Sequence, residues 1–262
     1  MNDPFFTTFK DVADDSQQPY DVAVIMPTIV RPTIEKALHS IFAQDFSGRI
    51  QVLIGIDQPL GNLSMIQDAC RARTANCAVS VFFPGYSTSV RHGGLHPDRA
   101  GGVLRCVLTY LANSRFVAYL DDDNWWAPEH LRHLLKAVEG KQWAYALRWF
   151  VHPVSRRPIC IDAWESLGPN RGFFVTRFGG WVDPNCLMYD KLACEPVTRW
   201  WTIPLPGDAK AMSSDRHVFH WLKNTYSYGE TGTASVFYQL DPQDGMHPQR
   251  LQWMGAAYDR AG

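Results

Sequence analysis

Asp121, Asp122 and Asp123 stand side by side directly after an apolar run, Phe116-Val117-Ala118-Tyr119-Leu120. Three adjacent carboxylates repel one another, and a bound divalent cation relieves that repulsion. Hard oxygen ligands select Mn²⁺ or Mg²⁺, and Mg²⁺ commonly takes one or two carboxylates together with substrate phosphates. A single Asp ahead of Pro128 would read as a helix cap, whereas three at the end of a strand read as a cation site. Farther on, Ser213-Ser214-Asp215 precedes a helical stretch at Val218 to Leu222. On the residues alone, a carboxylate there caps the helix. His130 and His133 share a helical face but have no third ligand, so they read as surface residues. His217 and His220 stand near Asp215; for His217 a substrate contact and a packed or solvent-facing role are both open.

The elements that must position these groups are legible from apolar spacing. Val22 to Met26, Ile50 to Ile56, Val79 to Phe83 and Phe116 to Leu120 are apolar runs of strand length. Between them Ile34, Ala37, Leu38 and Ile41, then Leu63, Ile66 and Ala69, then Val103, Leu104, Val107 and Leu108 repeat at helical spacing. Strands apolar on both faces, alternating with helices, form a mostly parallel α/β sheet covered by helices on both faces. After residue 140 the pattern weakens: Trp143 to Val151, Cys186 to Tyr189 and Ser235 to Leu240 read as extended. The first nineteen residues carry no apolar periodicity and read as an irregular arm.

In such a sheet ligands bind outside the carboxyl ends of the strands. Thr28 ends the first strand, Asp57 the second and the three aspartates the fourth, so polar groups converge on one edge. Neither GxGxxG nor GxxxxGK[ST] follows the first strand, which disfavours a dinucleotide dehydrogenase or a P-loop NTPase. A diphosphate bound without such a loop needs a cation and basic residues. Arg105, on the helix before the aspartates, is one candidate; a solvated helix surface is its other reading.

Composition narrows the class. The 262 residues are 46% hydrophobic and 19% charged, with a formal net charge of −1, which excludes a disordered or fibrous chain. Near-neutral charge gives no footprint for bulk nucleic-acid or membrane-surface binding. No run of 18 apolar residues and no basic-then-apolar leader occurs, so the expectation is a soluble, cytoplasmic protein without a transmembrane segment. Six cysteines without a CxxC pair read as buried thiols.

Taken together, these residues resemble the inverting glycosyltransferases of glycosyltransferase family 2, which have the GT-A fold. Val24-Ile25-Met26-Pro27-Thr28 with Arg31-Pro32 is similar to the family's first strand and nucleotide-facing turn. Asp57 stands where the family has an acidic residue near the base. Leu104-Arg105-Cys106 through Asp123 resembles the helix and strand leading into the DXD motif, with Cys106 in place of the usual Asn. Gly179-Gly180-Trp181 resembles the glycine loop bordering donor and acceptor, and Ser213-Ser214-Asp215 the segment that carries the base. His247 falls where many GT-A enzymes have a histidine near the metal or diphosphate.

The resemblance implies a Rossmann-like, mostly parallel central sheet in one GT-A domain over residues 20–262, with a nucleotide-binding half (20–140) and an acceptor-binding half (141–262). It implies metal-dependent transfer of a sugar, with inversion, from a nucleotide-diphosphate donor, foremost a UDP-sugar, to a glycan or other hydroxyl-bearing acceptor. Asp215 would be the catalytic base, Asp123 and His247 the metal ligands, with Mn²⁺ or Mg²⁺ as cofactor. Thr28, Arg31, Asp57, Arg105, Asp121 and Asp122 would contact the nucleotide, and Gly179, Gly180 and Trp181 the donor and acceptor. Two rivals are weighed. A nucleotidyltransferase calls for a glycine- and Arg/Lys-rich loop after the first strand, and Thr28-Ile29-Val30-Arg31 is not one. A non-catalytic carbohydrate-binding protein with this fold would have no need of filled metal, base and glycine-loop positions.

Overall fold

The computed structural model describes residues 3–10 and 18–262. Ten strands form one sheet: β1 (Phe5–Phe9), β2 (Tyr20–Thr28), β3 (Ile50–Ile56), β4 (Cys77–Phe83), β5 (Ser114–Tyr119), β6 (Trp125–Trp126), β7 (Trp143–Val151), β8 (Pro158–Ile161), β11 (Leu187–Asp190) and β12 (Tyr228–Gln239). β9 (Gly168–Pro169) and β10 (Gly180–Trp181) make a separate two-stranded ladder. The large sheet runs β1-β4-β3-β2-β5-β11-β7-β12-β6, with β8 beside β7. Its heart, β4-β3-β2-β5, is wholly parallel. The four strands there read as continuous apolar runs because both faces are covered, and Val22 to Met26 is fully buried.

The helices are α1 (Ile34–Phe42), α2 (Ser64–Cys70), α3 (Gly102–Leu111), α4 (His130–Ala137), α5 (Val175–Phe178), α6 (Glu195–Thr198), α7 (Ser214–Thr225), α8 (His247–Met254) and α9 (Ala256–Ala261). From β2 the chain steps outward through α1, β3 and α2 to β4. It then returns through α3 to place β5 on the other side of β2. Right-handed crossovers put α1 and α2 on one face and α3 on the opposite one. The reversal falls between β2 and β5, and that crevice is where an open α/β sheet receives its ligand. Beyond β5 the sheet turns antiparallel at β11, which lies between β5 and β7.

Three expectations need correction. The first nineteen residues are not irregular throughout: Phe5–Phe9 pairs antiparallel with β4, while 1, 2 and 11–17 of that arm lie outside the described residues. β12 begins at Tyr228, because pairing with β7 extends it over a Gly- and Thr-rich stretch that has no apolar pattern. His130 is not a surface residue: it is fully buried, stacks on Trp126 and shares a 2.8 Å hydrogen bond with Ser235. Burial, with the nearby charge of His133, lowers its pKa to about 3. Among the described residues no helix is long and apolar enough to cross a membrane.

Candidate active site

β2 and β5 are adjacent and parallel, so their carboxyl ends deliver Thr28 and the aspartates to the same place. The Thr28 hydroxyl donates to Asp122 Oδ2 at 2.5 Å and accepts from the Val30 amide at 2.7 Å. That second bond holds a turn in which Val30 takes a left-handed φ of 63°. The turn aims Arg31 back at the cluster, where Nη1 reaches Asp122 Oδ1 at 2.5 Å and Asp123 Oδ2 at 2.9 Å. Asp122 is buried and spoken for by Thr28 and Arg31. Asp123 keeps 37% of its side chain open to solvent.

Asp121 is tied in from two directions. Arg105 donates to one of its oxygens, and Asn185 bonds both its backbone amide (2.6 Å) and its other oxygen (3.2 Å). Arg105 therefore does not lie on a solvated helix surface; it is 6% exposed, and α3 carries it inward to the crevice. The three carboxylates thus divide the work. Asp122 is the buried member, and Asp123, bonded by Arg31 and by Asn124 Nδ2 at 3.0 Å, is the most open to solvent. Burial first, then the like charges of Asp121 and Asp122, raise the Asp123 carboxyl to about 7 against the pull of Arg31. A group so destabilised as an anion is suited to a divalent cation, and the residues present fit one. Among the described residues no three His, Cys, Asp or Glu side chains converge as a closed metal cage. Asp123 would hold a cation jointly with a ligand's phosphates.

His247 starts α8, its ring edge-on to Tyr258 with centroids 6.0 Å apart and its Nδ1 without a hydrogen-bond partner. No hydrogen bond or ion pair joins it to Asp123. Asp57 ends β3, but its oxygens bind protein: Ser87 Oγ at 2.7 Å, and the Thr88 amide and hydroxyl at 2.9 and 3.0 Å. Its visible work is to pin the loop after β4 to the end of β3.

Gly179 and Gly180 both have positive φ, 71° and 95°. At Gly180 a side chain would also run into the Gly168 carbonyl, because β9 and β10 approach too closely for a Cβ. This turn sets Trp181, whose Nε1 donates to Asp215 Oδ2 at 3.1 Å. Asp215 lies in the first turn of α7, yet no side chain caps that helix at Ser213, and Asp215 points to Trp181 and to Arg216 (3.5 Å). Burial raises its pKa, which makes the carboxylate a better proton acceptor. Arg105, bonded to Asp121, also feels the charge of Asp215. One buried guanidinium therefore lies within electrostatic reach of both ends of the site.

Several positions escape sequence reasoning. Asp98, 1% exposed, accepts from the Gly102 amide at the start of α3 (2.7 Å) and from Ser214 Oγ at the start of α7 (2.8 Å). It joins the helix that carries Arg105 to the one that carries Asp215. Asn185 is held through Asp183, which accepts from its side-chain amide at 2.7 Å and in turn pairs with the fully buried Arg148 at 2.5 Å. Arg148 also pairs with Asp162 (2.8 Å) and Glu165 (2.5 Å). A lone arginine inside the apolar Trp143–Val151 run was the available signal. His217 bonds the Ile203 carbonyl at 2.8 Å and packs on Trp200.

No family model matches the sequence, and neither does any curated protein. Solved structures do. The crystal structure of S. aureus TarS superposes with a TM-score of 0.59 at 15% identity, over 88% of this chain and 38% of TarS, so the chain spans well under half of that protein's length. TarS 1–349 in complex with UDP-GlcNAc gives a TM-score of 0.57 at 13% identity, over 90% of this chain and 66% of the other. The mannosyltransferase PcManGT from Pyrobaculum calidifontis, in complex with GDP-Man and Mn²⁺, gives 0.55 at 17% identity, over 97% and 68%. At such identities the likeness is one of architecture, and with the switch-point crevice and its aspartates it establishes that this chain has the GT-A fold.

Proposed function

We propose that the chain is an inverting, metal-dependent glycosyltransferase of the family 2 type, which moves a sugar from a nucleotide-diphosphate donor, foremost a UDP-sugar, to an acceptor hydroxyl. The observation that carries this reading is that one buried guanidinium, Arg105, bonds the aspartate cluster after β5 and also feels the charge of Asp215. A cation held at Asp123 would neutralise charge growing on the departing diphosphate. Arg31 and Arg105 supply fixed positive charge to the same end, and Thr28 fixes the orientation of Asp122. At the other end Asp215, steadied by Trp181, takes the proton from the acceptor hydroxyl. That oxygen bonds to the anomeric carbon while the carbon–oxygen bond to the diphosphate breaks, and the electron pair leaves with the diphosphate. One displacement inverts the centre and needs one base and no covalent enzyme intermediate.

The nucleotides bound by the structural neighbours, UDP-GlcNAc and GDP-Man, support the donor class and leave the base to be chosen by experiment. Melting curves with UDP, GDP and their sugars, each with and without Mn²⁺, provide that test, since a ligand of the native state raises the melting temperature with its concentration. A metal-dependent rise with one nucleotide, followed by release of the nucleoside diphosphate from its sugar, is expected. Release of pyrophosphate would replace this reading with nucleotidyl transfer, and no stabilisation by any nucleotide would defeat it.

A further inference from the structure

Beside Asp215 the molecule opens into a basin of about 680 Å³. Its wall is assembled from the end of α5, the loop 205–213, α7 and Met246 ahead of α8. Arg177, Lys210, Arg216 and Lys223 line it, against a single carboxylate, Asp208. That carboxylate accepts from the backbone amides of Lys210 (3.0 Å) and Met212 (2.8 Å), and its one negative charge leaves the four basic side chains in excess. Among the described residues Arg177, Lys210 and Lys223 have no acidic partner. In a chain whose net charge is −1, four cations gathered around one concavity depart sharply from the average surface.

The basin is also connected to the chemistry. Ser213 and Arg216 line it, and they flank Asp215 in sequence. The Arg216 guanidinium sits over Trp181 at 5.4 Å and contacts Asp215 at 3.5 Å. The end of the Lys223 side chain packs against Gly179, ahead of Trp181. A ligand in the basin therefore touches the same turn that positions Asp215. The donor's diphosphate has its own cradle at Thr28, Arg31 and the aspartates, so these cations are left for the other substrate.

We propose that the basin receives an acceptor carrying an anionic group, a phosphate or a carboxylate, whose charge is held by Arg177, Lys210 and Lys223 while its hydroxyl is presented to Asp215. This deepens the glycosyl-transfer reading and rests on it. The test is calorimetric titration of the full chain, saturated with UDP and Mn²⁺ so that the nucleotide cradle is filled, with glycerol 3-phosphate, glucuronate and glucose. The anions are expected to bind, more weakly as salt is raised, and glucose is not. The double variant Arg177→Gln/Lys210→Gln changes two exposed side chains and should weaken anion binding by about 10- to 100-fold, the scale of lost charge-assisted hydrogen bonds. Lys223→Gln should weaken it independently, and UDP affinity should hold in both. Which anion binds tighter tells phosphate from carboxylate. Anions binding no tighter than glucose, or equally well to the double variant, would overturn the proposal. Absence of UDP binding would instead defeat the transfer reading, and the same anion titrations without nucleotide would then judge the basin by itself.

Discussion

Asp123 and Asp215 are both carboxylates made uncomfortable by burial, and the two should answer to different measurements. Because the folded Asp123 titrates near 7 and the ordinary value is 3.8, the metal-free native state holds a proton in that window that the unfolded chain has released. Stability must therefore fall as pH rises through it, with the slope damped by the solvent that reaches the side chain. Asp123→Asn should flatten this slope and raise the melting temperature of the metal-free protein at neutral pH, while abolishing any Mn²⁺ dependence of UDP binding. Melting curves at several pH values, with and without Mn²⁺, check both arms; a variant that melts lower at neutral pH would contradict the assignment. Asp215 differs, because Asn keeps the oxygen that accepts from Trp181 Nε1. Asp215→Asn should leave melting temperature and UDP affinity in place and reduce turnover by roughly 10²–10⁴-fold. Near-normal kcat would remove Asp215 as the base.

At the scale of elements, the placement of the site depends on a turn that approaches neighbouring backbone closely. Gly180 combines a φ of 95° with contact against the Gly168 carbonyl, so Gly180→Ala should cost about 1–3 kcal/mol, the scale of a strained backbone position. Denaturant unfolding measures that cost, and the accompanying shift of Trp181 should be visible in its fluorescence. The parallel strands were legible in sequence because each is buried on both faces, and the aspartates because they are contiguous. Arg105 could be named as a basic residue on the helix before the aspartates, whereas Arg31 and the role of Asp215 are named through the family resemblance. Asp98 and Asn185 could not, since nothing in their neighbours' identities says that they will bond across the molecule. β1 was hidden in another way. Its alternation of half-buried and exposed residues covers only Phe5–Phe9, and pairing with β4 decides its conformation.

Across the whole molecule, a chain of buried polar contacts runs from Arg148 through Asp183 and Asn185 to Asp121. Arg148 is fully buried and balances Asp162, Glu165 and Asp183 together. Arg148→Met would strand those carboxylates, at a cost of about 3–5 kcal/mol, and should weaken UDP binding in protein that still folds, because Asn185 loses its support. Equilibrium unfolding paired with UDP titration tests this; a loss of stability with unaltered UDP affinity would show that the network stops short of the crevice. β11 is hydrogen-bonded to β5 on one side and β7 on the other, so strands from before and after residue 140 belong to one unbroken sheet. Such a sheet cannot open and shut as a clamshell. In the proposed transfer, entry and exit are left to the connections 85–101 and 203–213, where Asp57, Asp98 and Asp208 accept from the amides of Thr88, Gly102 and Met212. If those two connections, rather than a hinge between lobes, admit a nucleotide, deuterium uptake should slow there when it binds while the strands beneath stay unchanged.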